Sequence, residues 1–167
     1  EKNMNINKLN YEELEHYIKE FLKEHKSASL GTCLNNVPRS SPVLYYMGKD
    51  LDIYILSAGG QKFKSIDENP IVCLLVNTEY IDHRKIKGVQ VFGKATTSLK
   101  SKELIREALE YVPHPHLLEE DKLNVIKIVP EEIVYLNSIE KGERIKQILN
   151  IQDKIADAKE EEKLVLL

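Results

Sequence analysis

Hydrophobic positions change their period several times along this chain. Between Tyr11 and His25, Leu14, Ile18, Phe21 and Leu22 recur at steps of three and four with charged residues between them, which predicts an amphipathic helix. Asn10 stands where an N-cap belongs, with Glu13 at the capping-box position. From Ser27 the period shortens. Ala28 to Leu34 reads as a strand, Asn35-Asn36 followed by Val37-Pro38 as a turn, and Arg39 to Met47 as a second strand. Gly48-Lys49-Asp50 makes the next turn, after which Leu51, Ile53 and Ile55 alternate with Asp52, Tyr54 and Leu56 as far as Ser57. Residues 61–68 return to helical spacing through Phe63 and Ile66, with Lys62 and Lys64 at the exposed start. Asn69-Pro70 ends that helix, because the residue before a proline is driven out of the α region.

The second half repeats the alternation. Ile71 to Asn77 is almost wholly apolar, the pattern of a strand covered on both faces. Val89 to Thr97 is a fifth strand, and Gly93 within it marks a bulge or a close backbone approach. Ser101 to Tyr111 is predicted helical, broken by Val112-Pro113-His114-Pro115-His116. Asn124 to Val129 and Ile133 to Leu136 supply a last long strand, bent at Pro130. Lys146 to Lys163 is predicted to be a charged helix with Ile148, Leu149, Ile155 and Ala156 as its apolar stripe. That stripe is too thin to fold alone, so the helix is expected to dock on the rest of the molecule or on a partner subunit. The predicted fold is mainly β (α+β): a small six-stranded antiparallel barrel with peripheral helices, residues 1–136, followed by a C-terminal extension with a helix, residues 137–167.

Composition narrows the function classes. The 167 residues suffice for one domain with a real core, and 42% hydrophobic with 31% charged residues is the balance of a globular protein. A net charge of -3 argues against bulk nucleic-acid binding while leaving room for a local cationic pocket. No apolar run approaches the length of a spanning helix, and no signal-peptide pattern opens the sequence. Cys33 and Cys73 sit in apolar strand-like runs and read as buried structural thiols, so a reducing cytoplasm is the default location. His114 and His116 lack the helical spacing of a metal pair, and the His83-Arg84 pair lies in a polar connection. No metal is expected.

The chemistry-bearing segment is Lys62 to Val72. A lysine beside the free N–H groups of a helix that follows a strand suits an anion such as a phosphate. With this segment in place, the stretch from about Tyr11 to Leu136 resembles the FMN-binding split-barrel family related to pyridoxamine 5′-phosphate oxidase. The resemblance rests on Ala28-Ser29-Leu30-Gly31-Thr32, Pro38-Arg39-Ser40-Ser41-Pro42-Val43, Lys62 with Ile66-Asp67-Glu68-Asn69-Pro70-Ile71-Val72, and Val89-Gln90-Val91-Phe92-Gly93-Lys94-Ala95, in that order.

The resemblance implies that FMN is the cofactor and that Arg39, Ser40, Ser41, Pro42, Val43, Ser57, Gln61 and Lys62 bind it. Arg39 would offer a planar fork of donors to the phosphate, Lys62 a point charge and the serines short hydroxyls. Ser41-Pro42-Val43 would present backbone groups to the isoalloxazine edge. Many relatives place an arginine directly before this lysine, where the present chain has Gln61, so the phosphate grip is weaker or passes to Arg39. The family also implies a homodimer with flavin at the interface and flavin-dependent redox chemistry on a small molecule, with no particular side chain required as catalytic acid or base. Alternatives within the same fold are a non-catalytic flavin or heme binder, a redox sensor, or a deazaflavin-dependent reductase. Pyridoxamine 5′-phosphate oxidase itself is disfavoured: its C-terminal segment is arginine-rich and contains a tryptophan, whereas this chain has no tryptophan and no arginine after Arg144.

Overall fold

The computed structural model describes residues 7–114, 116, 122–139 and 143–160. Helix α1 (Tyr11–Glu24) begins as expected, with the Asn10 side chain accepting a hydrogen bond from the Glu13 N–H at 2.9 Å. Strands β1 (Ser27–Leu34), β2 (Val37–Met47) and β3 (Ile53–Ser57) follow, then helix α2 (Gln61–Glu68), β4 (Ile71–Asn77), β5 (Lys87–Thr97), α3 (Glu103–Leu109), β6 (Asn124–Asn137), β7 (Ile145–Asn150) and β8 (Ile155–Glu160). All neighbouring strands are antiparallel, in the order β3-β2-β1-β4-β5-β6-β7-β8, and β3 also pairs with β6. That extra pairing closes β1–β6 into the expected six-stranded barrel.

The barrel interior is filled from alternating positions. Leu30, Ile53, Ile55, Leu74, Val91, Ile126, Ile128 and Ile133 are fully buried, and α1 contributes Leu14, Ile18, Phe21 and Leu22 to the same core. Each such side chain is worth roughly 1.5–3 kcal/mol of transfer free energy before entropy is counted. The Tyr45 hydroxyl ties α1 down by donating to the Leu22 carbonyl at 2.6 Å.

Strand β6 changes partners along its length. Asn124–Ile128 pair with β3, whereas Glu132–Leu136 pair with β7, while β5 runs along nearly the whole opposite edge. The register slips between Phe92 and Gly93, so Gly93 does mark a bulge. A Cβ on Gly93 would lie 2.3 Å from the Val129 carbonyl oxygen, so only glycine allows the strands to close here. Glu131, the residue that the slip leaves over, uses its carbonyl to accept the Ile151 N–H at 3.0 Å. The bend predicted at Pro130 is this bulge within one continuous strand.

Three expectations are corrected. The helix predicted from Lys146 is the β7–β8 hairpin, and the part of that prediction beyond residue 160 lies outside the described residues. Asn150 supplies the turn, its side chain accepting the Asp153 N–H at 3.0 Å, and Lys154 takes a positive φ of 52°. Leu149 and Ala156 face the core while Ile155 is 56% exposed, a two-residue alternation that the helical stripe concealed. Pairing with β6 overrides the weak strand preference of so many charged residues. Next, β4 is covered on one face only: Val72, Leu74 and Val76 are buried, but Ile71 is 65% exposed. Finally, Cys33 and Cys73 are half-buried free thiols; both lie on the outward side of the sheet, opposite Pro38 and Gly31.

Candidate functional site

The alternation along β2 sorts the predicted site residues into two sets. Val43 and Tyr45 are buried, so Ser41 and Arg39 lie on the core side of the strand where it leaves the barrel end. Ser40, Pro42 and Leu44 are exposed on the outer side. The β2–β3 ladder ends at the pair Tyr45–Ile55, and the same register carries Val43 alongside Ser57. The end of β3 and the core-side row of β2 therefore meet.

Beyond Ser57 the chain turns through Gly59 and Gly60 into α2. The Gly59 carbonyl accepts from the Ser57 hydroxyl at 3.2 Å and from the Lys62 ammonium at 2.7 Å. Gly60, at φ 112°, forms the helix N-cap without any side-chain cap, a conformation that glycine adopts freely. The first N–H groups of α2 thus lack a side-chain acceptor beside a lysine and a serine hydroxyl. Phe63, Ser65 and Ile66 bury the opposite side of the helix, and the Asn69 side chain ties its far end to the Cys33 carbonyl at 2.8 Å. Helix α2 therefore runs from the end of β3 to the end of β1 and packs on β1 and β5. Arg39 makes no hydrogen bond or ion pair among the described residues. Gln61 is the exposed first residue of α2.

Ser57 and Lys62 thus meet at the Gly59 carbonyl, Ser41 and Arg39 lie on the core side of β2 beyond Val43, and Ser40 and Pro42 face outward. The Lys62 ammonium and the Ser57 hydroxyl beside an uncapped helix start form a donor set of the kind that suits an anion such as a phosphate. The sequence reasoning missed Gly59, whose carbonyl positions both Ser57 and Lys62; the signal was the Gly59-Gly60 pair. The backbone of the His83–Arg84 loop is tied down: the His83 backbone N–H donates to the Asp82 side chain, and the Arg84 carbonyl accepts from Ser138 at 2.6 Å. No metal-binding group of side chains occurs among the described residues.

A cluster of perturbed titratable groups lies elsewhere, where α3 packs on the barrel. Tyr54, almost fully buried, donates to Glu107 at 2.5 Å, and Lys127 donates to the same carboxylate. Tyr111 stacks on Tyr54 at 5.4 Å. The hydrogen bonds from Lys127 and Tyr54 hold the Glu107 carboxyl below the usual carboxylate range. Glu107 in turn raises Lys127, and burial followed by Glu107 raises Tyr54. Burial also pushes Asp52 up, against the attraction of Lys127 3.8 Å away. This cluster fastens α3 to β3 and β6.

Comparison with known proteins agrees with this architecture. A family described as pyridoxamine 5′-phosphate oxidase matches residues 14–137. Among solved structures, the chain resembles a Clostridium acetobutylicum protein related to general stress protein 26 of B. subtilis, of the pyridoxinephosphate oxidase family. That match has 14% identity over 86% of this chain and 98% of the other, at a TM-score of 0.61. A FAD-binding protein from Mesorhizobium loti is similar at 21% identity over 71% and 88% of the two chains, TM-score 0.53. A heme binding protein from Mycobacterium smegmatis is similar at 11% identity over 93% and 60%, TM-score 0.62. Such identities establish the fold alone. No curated protein matches the chain. No helix among the described residues is long and apolar enough to cross a membrane. With the family match spanning α1 to the end of β6 and the barrel closed as that family requires, the chain belongs to the pyridoxamine 5′-phosphate oxidase family.

Proposed function

We propose that this protein binds FMN at the α2 end of the barrel and works as a flavin-dependent oxidoreductase on a small molecule. The observation that carries the reading is the Ser57–Gly59–Lys62 knot at an uncapped helix start, and Arg39, on the core side of β2, is unpaired among the described residues. Lys62 and Arg39 would bind the phosphate, Ser57 and Ser41 would hydrogen-bond to it or to the ribityl chain, and the outer edge of β2 at Ser40 and Pro42 would carry the ring. When bound, the flavin supplies the hydride or electron transfer, and the protein's part is to hold, orient and shield it.

A homodimer is part of this reading. On the outer side of the sheet, register aligns Ser40, Gly31, Cys73 and Phe92 in one row and Pro42, Ser29, Leu75 and Gln90 in the next. Leu44 is 54% exposed, Ile71 65% and Phe92 39%, so this face presents an apolar patch of the kind that a partner subunit covers. Since Ser40 and Pro42 lie in the same rows, a flavin along β2 would touch whatever covers the patch.

The test is absorption and titration. Purified protein should take up FMN with an oxidised-flavin spectrum, and Lys62→Ala should lose a charge-assisted contact worth about 1.5–3 kcal/mol, roughly ten- to hundredfold in affinity. Unchanged FMN affinity in Lys62→Ala removes that residue from the site. A Soret band, or flavin binding without NAD(P)H turnover, would instead favour the carrier reading that the heme-binding and FAD-binding neighbours suggest.

A further inference from the structure

A second candidate site lies beside helix α1, on the side of β6 and β7 that faces away from the outer patch. Tyr135 pairs with Gln147 there, on the same face as buried Ile133 and Leu149, and the register carries Asn137 alongside Ile145. A cleft of about 290 Å³ opens over these four residues, at the small end of the range for small-molecule sites. Tyr17 forms a wall of it from α1, at the margin of the buried stripe of Leu14, Ile18 and Phe21. Its ring lies 6.4 Å from that of Tyr135 and nearly parallel to it, at 22°.

A buried carboxamide holds a further wall in place. Gln147, 8% exposed, donates its amide N–H to the Asn7 carbonyl at 3.0 Å and accepts the Leu9 N–H at 3.2 Å. One side chain thus serves the segment before α1 as a strand partner would, and it fixes Asn7 and Leu9 along the cleft. Lys8, between them, adds an ion pair to Asp157 at 3.8 Å. Both polar ends of Gln147 are satisfied within the fold, so the cleft is formed before any ligand arrives and ordering its walls costs little on binding.

The charge balance decides what suits it. Among the described residues Glu143 is the one charged side chain lining the cleft, and it has no ion-pair partner there. Lys87, opposite Asn137 in the register, does not line the cleft; its ammonium stands over the Phe21 ring at 5.4 Å. Tyrosine faces carry the negative side of the ring quadrupole and attract cations. We infer that this cleft binds a small organic cation of the quaternary-ammonium kind, its head against the Tyr17 and Tyr135 rings and toward Glu143, its alkyl part on Leu9 and Ile145. The site shares no residue with the α2 end and stands whether or not flavin occupies it.

The probe is choline, compared with its neutral isostere 3,3-dimethylbutan-1-ol by NMR titration of the full chain. Choline should bind saturably, and the neutral alcohol at least about fivefold more weakly. Glu143→Gln should weaken choline by about fivefold or more while leaving the alcohol within about twofold. Tyr17→Leu should weaken choline at least about threefold, whereas Tyr17→Phe, which keeps the ring face, should stay within about twofold of wild type. Tyr17 and Glu143 are both exposed, so these variants leave the core intact. Lys62→Ala should leave choline affinity unchanged. The proposal is overturned if choline does not saturate, if the alcohol binds as tightly, or if either Glu143→Gln or Tyr17→Leu binds choline as wild type does. Loss of choline binding in Lys62→Ala also overturns it, because the probe would then be reporting the α2 end.

Discussion

Replacing Gly93 by alanine tests the strand crossing on which the barrel closes. An added Cβ would sit 2.3 Å from the Val129 oxygen and 2.9 Å from the Pro130 Cα. An ordinary contact needs about 3.4 Å or more, so β5 and β6 must part by about 1 Å at the bulge. The obstacle is backbone held in a ladder, which cannot swing aside like a side chain. Overpacking of this kind costs about 1–3 kcal/mol, and a ladder hydrogen bond lost beside it about 0.5–1.5 kcal/mol. Against this stands a gain of about 0.4–1 kcal/mol from the stiffer unfolded chain. The net is a loss of about 2–3 kcal/mol, or roughly 5–10 °C in melting temperature for a domain of this size. Gly31→Ala is the internal control: its Cβ would meet the Cys73 oxygen at 3.3 Å, a few tenths of an ångström at most from comfort, and the two terms should nearly cancel. Thermal and urea unfolding followed by circular dichroism measure both variants. Hydrogen exchange at Ile151, whose amide is bonded to the bulged Glu131, should lose protection only in Gly93→Ala. If Gly93→Ala melts within 2 °C of wild type, or no lower than Gly31→Ala, the bulge does not require glycine and the account of the crossing fails.

Three further outcomes are expected. Phe92→Asp places a charge in the centre of the exposed outer patch; light scattering should give twice the 19.3 kDa chain mass for wild type and a monomer for the variant, and a wild-type monomer with flavin bound ends the dimer reading. Lys127, Tyr54 and Tyr45 all hold their protons more tightly in the folded protein, so the stability they contribute is complete below about pH 10 and falls as pH rises through their raised folded values. Urea midpoints should hold up to about pH 10 and drop as pH rises above it, and less steeply in Tyr54→Phe; a flat profile above about pH 10 refutes this. Glu107, with its lowered value, acts in the opposite direction: its contribution is present above the ordinary glutamate range and is lost as pH falls through the folded value, so Glu107→Gln should blunt acid destabilisation.

Much of this fold is legible in local pattern. Period-two alternation places β1, β2, β3 and β5 within a few residues, and the Asn10 cap and the Asn69-Pro70 stop mark their helix ends by side-chain chemistry. What fails is set by distant contacts. Ile148, Leu149, Ile155 and Ala156 fit a helical stripe as well as a hairpin, and only the open edge of β6 decides between them. Ile71 to Asn77 looks doubly covered because exposed Ile71 and Leu75 are as apolar as buried Leu74; hydrophobicity alone does not say which surface another subunit would cover. For the candidate site, Lys62 and Arg39 were visible as cations at a strand–turn–helix. The face on which each β2 residue lies, and the Gly59 carbonyl that collects Ser57 and Lys62, required the register and the turn.

The partner change along β6 also bears on self-association. A closed barrel has no free strand edges, but β6 overshoots the closure, and its second half would expose Glu132 to Leu136 as an unpaired ladder once β3 has turned away. Such a ladder is a template for pairing with a second chain. The β7–β8 hairpin occupies it and moves the sheet margin out to β8, where Asp157, Lys159 and Glu160 crowd charge along six residues. A chain ending at residue 137, where the family match also ends, would keep its closed barrel and stick edge to edge. The hairpin thus acts as a selvedge, keeping the family barrel of this protein from adding strands without limit.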